Sequence, residues 1–250
     1  MKKTVIKSLF VVLLLNQSLF VLSSAPSVSL TDAEEIEAGE VVARDYIQQE
    51  GIEATPQTRK IDDYLQSVGE RVAAHAQRKL PYRFRFDPSP TFRSAVGLPG
   101  GEVFVGAGIL AYMDTEDQLA MVLGHEIEHI ALNQCHDRLV KVMTDGHLTS
   151  KDLSKLKVDP FLDGYGHDRE FAADREGVIL AMKAGYSADA AIRLLQTYII
   201  LGEQMPNTPK EAKSNLQARI AQIQTVRDAS KLAKPTAEKS LALPLRVDRK

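Results

Sequence analysis

The sequence predicts an α+β fold that is mainly α-helical and has one small β-sheet. Two observations lead to this prediction. Most of the chain has apolar residues at helical spacing, and several of these stretches begin with a Thr-x-x-Glu/Gln or proline start signal. Residues 82–105 differ, because they combine an alternation of apolar and polar residues with a glycine-rich turn. A chain of 250 residues, 44% of them hydrophobic, can form one domain with a sizeable core.

Two helices are predicted before the sheet. Thr31-Asp32-Ala33-Glu34 is a capping box and begins the first helix, which ends at Gly51. The second helix follows Pro56 and keeps its apolar residues at helical spacing as far as Val72. Both helices are interpreted as parts of the core.

The next segment predicts the sheet. Tyr82, Phe84 and Phe86 alternate with charged residues, as the side chains of a half-buried strand do. The turn signal Leu-Pro-Gly-Gly at 98–101 then leads into a second strand, Glu102–Val105. An extended peptide is expected to pair with this second strand through main-chain hydrogen bonds.

A second capping box, Thr115-Glu116-Asp117-Gln118, begins the most informative helix of the chain. This helix contains His125, Glu126 and His129 in an H-E-x-x-H pattern. On a helix the two histidines lie one turn and about 40° apart, so both imidazoles can bind one Zn²⁺. Glu126 is then next to the metal and can reach an activated water.

The remainder of the chain is predicted from weaker signals. Residues 137–166 form a long polar excursion with a short helical piece, and whether it covers the site stays open. Three further helices are predicted, at residues 168–183, 188–201 and 213–226. The folded domain is therefore expected at residues 26–230 and a flexible tail at residues 231–250.

The first 25 residues differ in composition from the rest. Three lysines precede an apolar run at residues 9–15, which resumes at residues 19–22 after three polar residues, and small residues follow at 23–25. This order is typical of a secretory signal peptide, so we expect a periplasmic or secreted protein. In the alternative, the leader stays uncleaved and provides the route to membrane association.

Charge and cysteine content exclude two other classes. The formal net charge is −2 and basic residues occur at most as isolated pairs, so nucleic-acid binding is not expected. Cys135 is the one cysteine of the sequence, which rules out an intramolecular disulfide.

A catalytic zinc site needs a third protein ligand beside the two histidines. On a continuous helix His136 would lie about 10 Å beyond His129, too far to bind the same ion. The other histidines are interpreted as solvated or hydrogen-bonded: His75, His147 and His167.

Glu170 and Asp174 are better candidates. They are four residues apart and project from one face of a predicted helix. Glu170 can bind the metal while Asp174 accepts a hydrogen bond from a ligating histidine, which fixes the tautomer of that histidine. A solvated charged face explains the same spacing equally well, so the residues alone leave both readings open.

Three segments in this order resemble a known family: Leu98-Pro-Gly-Gly-Glu-Val-Phe-Val, the stretch Glu116–His129, and Glu170-Phe-Ala-Ala-Asp-Arg with Ala184-Gly-Tyr after it. They are similar to the HtpX-like and CAAX-prenyl-protease-related zinc metallopeptidases, in particular their soluble periplasmic branch. The resemblance covers residues 60–205. It implies a compact gluzincin domain, mainly helical, with a small sheet beside the active-site helix.

The resemblance also implies the roles of individual residues. His125, His129 and Glu170 would hold one Zn²⁺ per chain, Glu126 would be the general base, and Asp174 would support a ligating histidine. The implied activity is that of a zinc-dependent endopeptidase, which uses a zinc-activated water to hydrolyse exported or misfolded envelope proteins. The alternative is a non-catalytic or dual-role periplasmic chaperone for envelope proteins.

This chain departs from the family pattern at two places. Glu128 stands where the family usually has alanine, and we expect this side chain to be solvated or salt-bridged. The family often has Ser/Thr-His-Pro downstream, but this chain has Asn207-Thr208-Pro209. A histidine that would contact the metal or the reacting carbonyl group is therefore missing, and Arg219 is the remaining candidate.

Overall fold

The computed structural model describes residues 29–204, 210–232, 235 and 237–242. The predicted signal peptide at residues 1–25 lies outside this part of the chain. The architecture is mainly helical with one three-stranded sheet, which confirms the predicted α+β class. Within the described residues, no helix combines the length and the apolarity that crossing a bilayer requires.

The elements follow the predicted order with a few additions. The helices in chain order are α1 (Asp32–Glu50), α2 (Pro56–Ala73), α3 (Ala107–Leu110), α4 (Glu116–Ala131), α5 (Gln134–Asp145), α6 (His167–Lys183), α7 (Ala188–Gln204) and α8 (Lys210–Ala229). The strands are β1 (Arg83–Asp87), β2 (Ala95–Gly97) and β3 (Glu102–Gly106). Short 3₁₀ helices cover Pro99–Gly101, Ser150–Lys155 and Asp159–Phe161.

Both predicted capping boxes are present. The Thr31 hydroxyl accepts a hydrogen bond from the Glu34 N–H, and the Glu34 carboxylate accepts one from the Thr31 N–H at 2.8 Å. Thr115 and Gln118 form the same reciprocal pair at the start of α4. Each box satisfies N–H groups that a helix start leaves free, so these two helices begin at residues fixed by local chemistry.

The sheet has the order β1-β3-β2, with β1 parallel and β2 antiparallel to β3. All of β3 is buried, and both of its edges are paired with neighbouring strands. The expectation that Glu102–Val105 pairs with a substrate is therefore wrong. β2 was not predicted, because three residues are too few to show an alternation.

The excursion at residues 137–166 is more ordered than the sequence predicts. α5 occupies its first part, and Asn133, with φ of 59°, separates this helix from α4. Leu139 and Met143 lie one turn apart on α5 and are fully buried in a core cluster that α1 shares. These two residues anchor a helix whose other face is polar.

Residues 237–242 lie against the start of α4, which differs from the predicted tail. The Glu116 N–H donates to the Lys239 carbonyl at 2.8 Å, and the Lys239 N–H donates to the Asp117 carboxylate at 2.9 Å. Thr115 and Ser240 form an antiparallel bridge beside these bonds. The segment thus covers acidic residues of the first helical turn that are buried.

α4 runs through the centre of the molecule and touches α6 at two glycines. A Cβ atom on Gly124 would lie 2.5 Å from the Gly177 carbonyl oxygen. A Cβ atom on Gly177 would lie 2.6 Å from the Gly124 carbonyl carbon and from the His125 nitrogen. Since the opposing atoms are backbone, they cannot rotate away, and only glycine allows the two helices this approach.

We therefore expect Gly177→Ala to separate α4 from α6 and to lower the free energy of unfolding by about 1–3 kcal/mol, the usual cost of overpacking a core. Urea denaturation measures this change. Gly164→Ala is the matched control, because a Cβ atom at Gly164 meets nothing within 4 Å. Equal stability of the two variants would contradict the glycine contact.

Candidate metal centre

The two histidines of α4 point at one place. His125 Nε2 and His129 Nε2 are 2.9 Å apart. The other ring nitrogens face away: His125 Nδ1 donates to Asp174 Oδ1 at 2.9 Å, and His129 Nδ1 donates to Gln134 Oε1 at 2.8 Å. With a carboxylate and an amide oxygen as acceptors, both Nδ1 atoms carry hydrogen, so both Nε2 atoms can act as ligands.

Glu170 completes a group of three ligand atoms. Its Oε2 lies 3.4 Å from His125 Nε2 and its Oε1 lies 3.8 Å from His129 Nε2. The three ligand atoms are all within 4.8 Å of one another, and no other such group of His, Cys, Asp or Glu occurs among the described residues. Glu170 is held in place by the Tyr165 N–H, which donates to Oε1 at 3.2 Å.

These distances fit a single small cation. A tetrahedral ion with bonds of about 2.0–2.1 Å requires ligand atoms about 3.3 Å apart, close to the separations observed here. Two imidazoles and one carboxylate are a common donor set for catalytic Zn²⁺, whereas Ca²⁺ and Mg²⁺ prefer oxygen ligands alone. The three side chains therefore fit zinc, with a fourth position left for water or substrate.

The electrostatics of the two histidines also favour a positive charge between them. Burial lowers the pKa of His125, but hydrogen bonds to Asp174 and Glu170 outweigh this and raise the pKa to about 10. Burial and the charge on His125 lower the pKa of His129 to about 4. The carboxylates around the two histidines therefore favour a positive charge at this place.

Asp174 is buried and stays ionised. Burial raises its pKa, but hydrogen bonds from Arg219 and His125 together lower the pKa to about 2. Arg219 Nη2 donates to Asp174 Oδ1 at 2.7 Å, and Arg219 Nε donates to Oδ2. α8 thereby supplies the cation that balances this carboxylate, and Arg219 is engaged with Asp174.

Glu126 lies beside the ligands on the side of the sheet. Its Oε2 accepts a hydrogen bond from the Gly97 N–H of β2 at 2.7 Å. Only 8% of Glu126 is exposed, and burial raises the pKa of its carboxyl group. A carboxylate with a raised pKa, fixed next to a cation site, can accept a proton and return it.

A known protein family matches most of the chain. A model of peptidase family M48 matches residues 59–226. The chain belongs to peptidase family M48. Members of this family are zinc metallopeptidases, so the chain is assigned to the metallopeptidases, which act on polypeptides.

Individual M48 relatives match a shorter part of the chain. The beta-barrel assembly-enhancing proteases of Escherichia coli K12, Shigella flexneri and Escherichia coli O157:H7 are each 34% identical to it over 71 residues. The matched stretch is 28% of this chain and 14% of each relative. The chain therefore matches only a small part of these longer proteins.

The structure brings all five predicted residues of the M48 site to one cavity, whose volume is about 560 Å³. They are His125, Glu126, His129, Glu170 and Asp174. The remaining predicted candidates lie elsewhere. His136 donates to the buried carboxylate of Glu35 at 2.7 Å, and His167 stacks on Phe171.

The expectation for Glu128 is wrong. Only 5% of this residue is exposed, and within the described residues its carboxylate has no ion pair. Burial, together with the nearby charge of Glu176, raises its pKa to about 7. The side chain is buried, and it does not line the cavity.

Two supports of the site were missed in the sequence. Gln134 binds His129 through the hydrogen bond described above, and Tyr165 stacks on the His129 ring with centroids 4.4 Å apart. The Arg138 guanidinium covers the other face of Tyr165 at 3.8 Å and donates to the Phe161, Asp163 and Gly164 carbonyls. The end of the excursion thus packs against the predicted ligand His129. This support is visible only in the contacts of the folded structure and not in the sequence pattern.

We expect Asp174→Asn to weaken zinc binding by about 10- to 100-fold, because an amide leaves Arg219 unbalanced and holds His125 less firmly. Competition with a chromophoric chelator measures the affinity. Asp168→Asn makes the same chemical change at an exposed position of α6 and is expected to bind zinc like the wild type. Unchanged affinity in Asp174→Asn would contradict the supporting role.

Proposed function

We propose that this chain is a zinc-dependent endopeptidase that hydrolyses exported or misfolded envelope proteins in the periplasm or outside the cell. The observation that carries the proposal is the buried Glu126 carboxylate, which is fixed by the Gly97 N–H beside the three ligand atoms. Membership of peptidase family M48 supports the reaction class.

The residues of the site have separate roles in the proposed reaction. One zinc ion, held by His125, His129 and Glu170, would supply the Lewis acid that polarises the scissile carbonyl and acidifies water. Glu126 takes the proton from the attacking water and passes it to the departing amine. Because the Gly97 N–H holds Oε2, the Oε1 atom is the one that transfers the proton.

The substrate is proposed to bind along β2. Ala95 and Val96 of this strand line the cavity, and in the described part of the chain no other strand pairs with the edge of β2 opposite β3, where Gly97 binds Glu126 and Cys135. An extended peptide can add to that edge by main-chain hydrogen bonds, which are independent of side-chain identity. Such binding suits unfolded polypeptides.

The cavity also favours internal cleavage. It is lined by Tyr46 and Glu50 of α1 and by residues of α7 and α8 on another side. A cavity whose wall extends beyond the ligands in this way has room for substrate residues next to the scissile bond.

The proposed substrate class and cellular location are inferred from the sequence and its relatives. The predicted leader at residues 1–25 supports export, and the matching relatives carry the name of a protease that enhances β-barrel assembly. Export would place the site among unfolded envelope proteins. A purely non-catalytic chaperone would have no use for a carboxylate that is buried and fixed beside the ligands.

We expect Glu126→Gln to retain zinc and to lose about 10²- to 10⁴-fold in hydrolysis, since general-base catalysis contributes that much. The assay measures cleavage of casein and of an unfolded outer-membrane protein, with zinc content determined on the same samples. Glu128→Gln is the matched control, because it makes the same change two residues away and outside the cavity.

This control is expected to cleave within threefold of the wild type. Wild-type cleavage by Glu126→Gln would refute the proposed function, whatever the control does.

A further inference from the structure

The hydroxyl group of Tyr198 is unusual in this structure. Among the described residues it is the one buried side-chain nitrogen or oxygen that has no hydrogen-bond partner. Buried polar groups in native proteins nearly always have partners, because an unsatisfied group costs stability. An exception of this kind points to a functional role for the group.

Tyr198 stands on α7 and lines the same cavity as His125, Glu126 and Glu170. Its ring packs against the main core cluster. Burial raises the pKa of its hydroxyl, and the charges of Arg219 and Glu126 are close enough to act on it. The hydroxyl therefore stays protonated and is a hydrogen-bond donor on a residue that lines the same cavity as the reacting groups.

Several other donors around the cavity already have partners. Arg219 donates to Asp174 through Nε and Nη2, and the Tyr165 hydroxyl donates to Cys135 Sγ at 3.0 Å. The Tyr46 hydroxyl donates to Asp87 at 2.6 Å, and the Gly97 N–H donates to Glu126. Tyr198 is the buried side-chain donor of the described residues whose hydrogen bond is unassigned.

The reaction needs such a donor. When water adds to the scissile carbonyl carbon, a carbon–oxygen bond forms and the π electron pair moves to the carbonyl oxygen. When the intermediate collapses, the electron pair on the oxyanion forms the carbon–oxygen double bond again and the carbon–nitrogen bond breaks. The amine nitrogen leaves with the bonding pair and receives the proton that Glu126 took from water. A preorganised donor aimed at the oxyanion stabilises this intermediate more than the substrate.

We propose that Tyr198 is a catalytic residue whose hydroxyl donates a hydrogen bond to this oxyanion. The assignment rests on the proposed peptidase function. The hydroxyl keeps its proton throughout, so it changes the energy of the intermediate and takes no part in the proton balance. The partner that this hydroxyl lacks in the free protein is then the oxygen of the substrate.

A purely structural tyrosine would behave in the opposite way. If the ring alone mattered, Tyr198→Phe would keep the packing, remove an unsatisfied hydroxyl and leave catalysis unchanged. As an oxyanion donor, the same hydroxyl costs the free protein stability and supports the reaction. The proposal therefore predicts that Tyr198→Phe has a Tm equal to or above that of the wild type, together with impaired chemistry.

The test compares Tyr198→Phe with Tyr64→Phe in the zinc-loaded full chain. Tyr64 is a matched control, because its hydroxyl binds Glu116 and it does not line the cavity. The substrate is a fluorogenic peptide from a mapped casein cleavage site, and kcat and KM are measured separately. A phosphinic pseudopeptide of the same sequence imitates the tetrahedral intermediate, and its Kd is measured by calorimetry.

For Tyr198→Phe we expect kcat to fall by about 10²- to 10³-fold, as for loss of one oxyanion donor, with KM within threefold. The Kd of the phosphinic pseudopeptide should rise at least tenfold, while zinc content stays at one per chain. Tyr64→Phe should match the wild type in kcat and in phosphinic-peptide affinity.

Wild-type kcat and pseudopeptide affinity in Tyr198→Phe would overturn the proposal. So would a loss of activity that accompanies a lower Tm or a loss of zinc, because the tyrosine would then be structural. Failure of the proposed function is distinguishable: it would appear as wild-type cleavage by Glu126→Gln, whereas failure of the present inference leaves Glu126→Gln inactive.

Discussion

The contact between Gly124 of α4 and Gly177 of α6 is the constraint on which the site depends. Gly177, Asp174 and Glu170 succeed one another at spacings of three and four residues, so they form one stripe along α6. His125 directly follows Gly124. When the two backbones touch at the glycines, the stripe is brought against the histidines, and the ligand atoms reach bonding range of one ion. If α4 and α6 were further apart, the histidines of one helix and Glu170 of the other could not bind the same ion.

Around this contact, the carboxylates of the site are each compensated by another group. Asp174 is matched by Arg219 of α8 and Glu126 by the Gly97 N–H of β2, while Glu170 lies 3.4 Å from His125 Nε2 and accepts from the Tyr165 N–H. Buried charges without partners are costly, so the groups that α8 and β2 contribute stabilise the carboxylates of the site. The Tyr198 hydroxyl is the buried side-chain nitrogen or oxygen of the described residues that has no hydrogen-bond partner, and Tyr198 lines the cavity.

The features that were predictable from sequence are those whose physics is local. The capping boxes at Thr31 and Thr115 and the H-E-x-x-H turn are each determined within a few residues, and the structure has them where expected. Glu170 and Asp174 needed the family resemblance, because their spacing fits a solvated helix face equally well. β2, the Tyr165 stack and the docking of residues 237–242 depend on partners distant in sequence, and no local pattern encodes those contacts.

A crystal structure of the zinc-loaded protein, with anomalous diffraction at the zinc absorption edge, tests the central claim most directly. The account predicts one zinc per chain, bonded to His125 Nε2, His129 Nε2 and a Glu170 carboxylate oxygen at about 2.0–2.2 Å, with α4 and α6 still touching at the glycines. Zinc bound elsewhere, at Cys135 for example, or a Glu170 outside the coordination sphere, would contradict it.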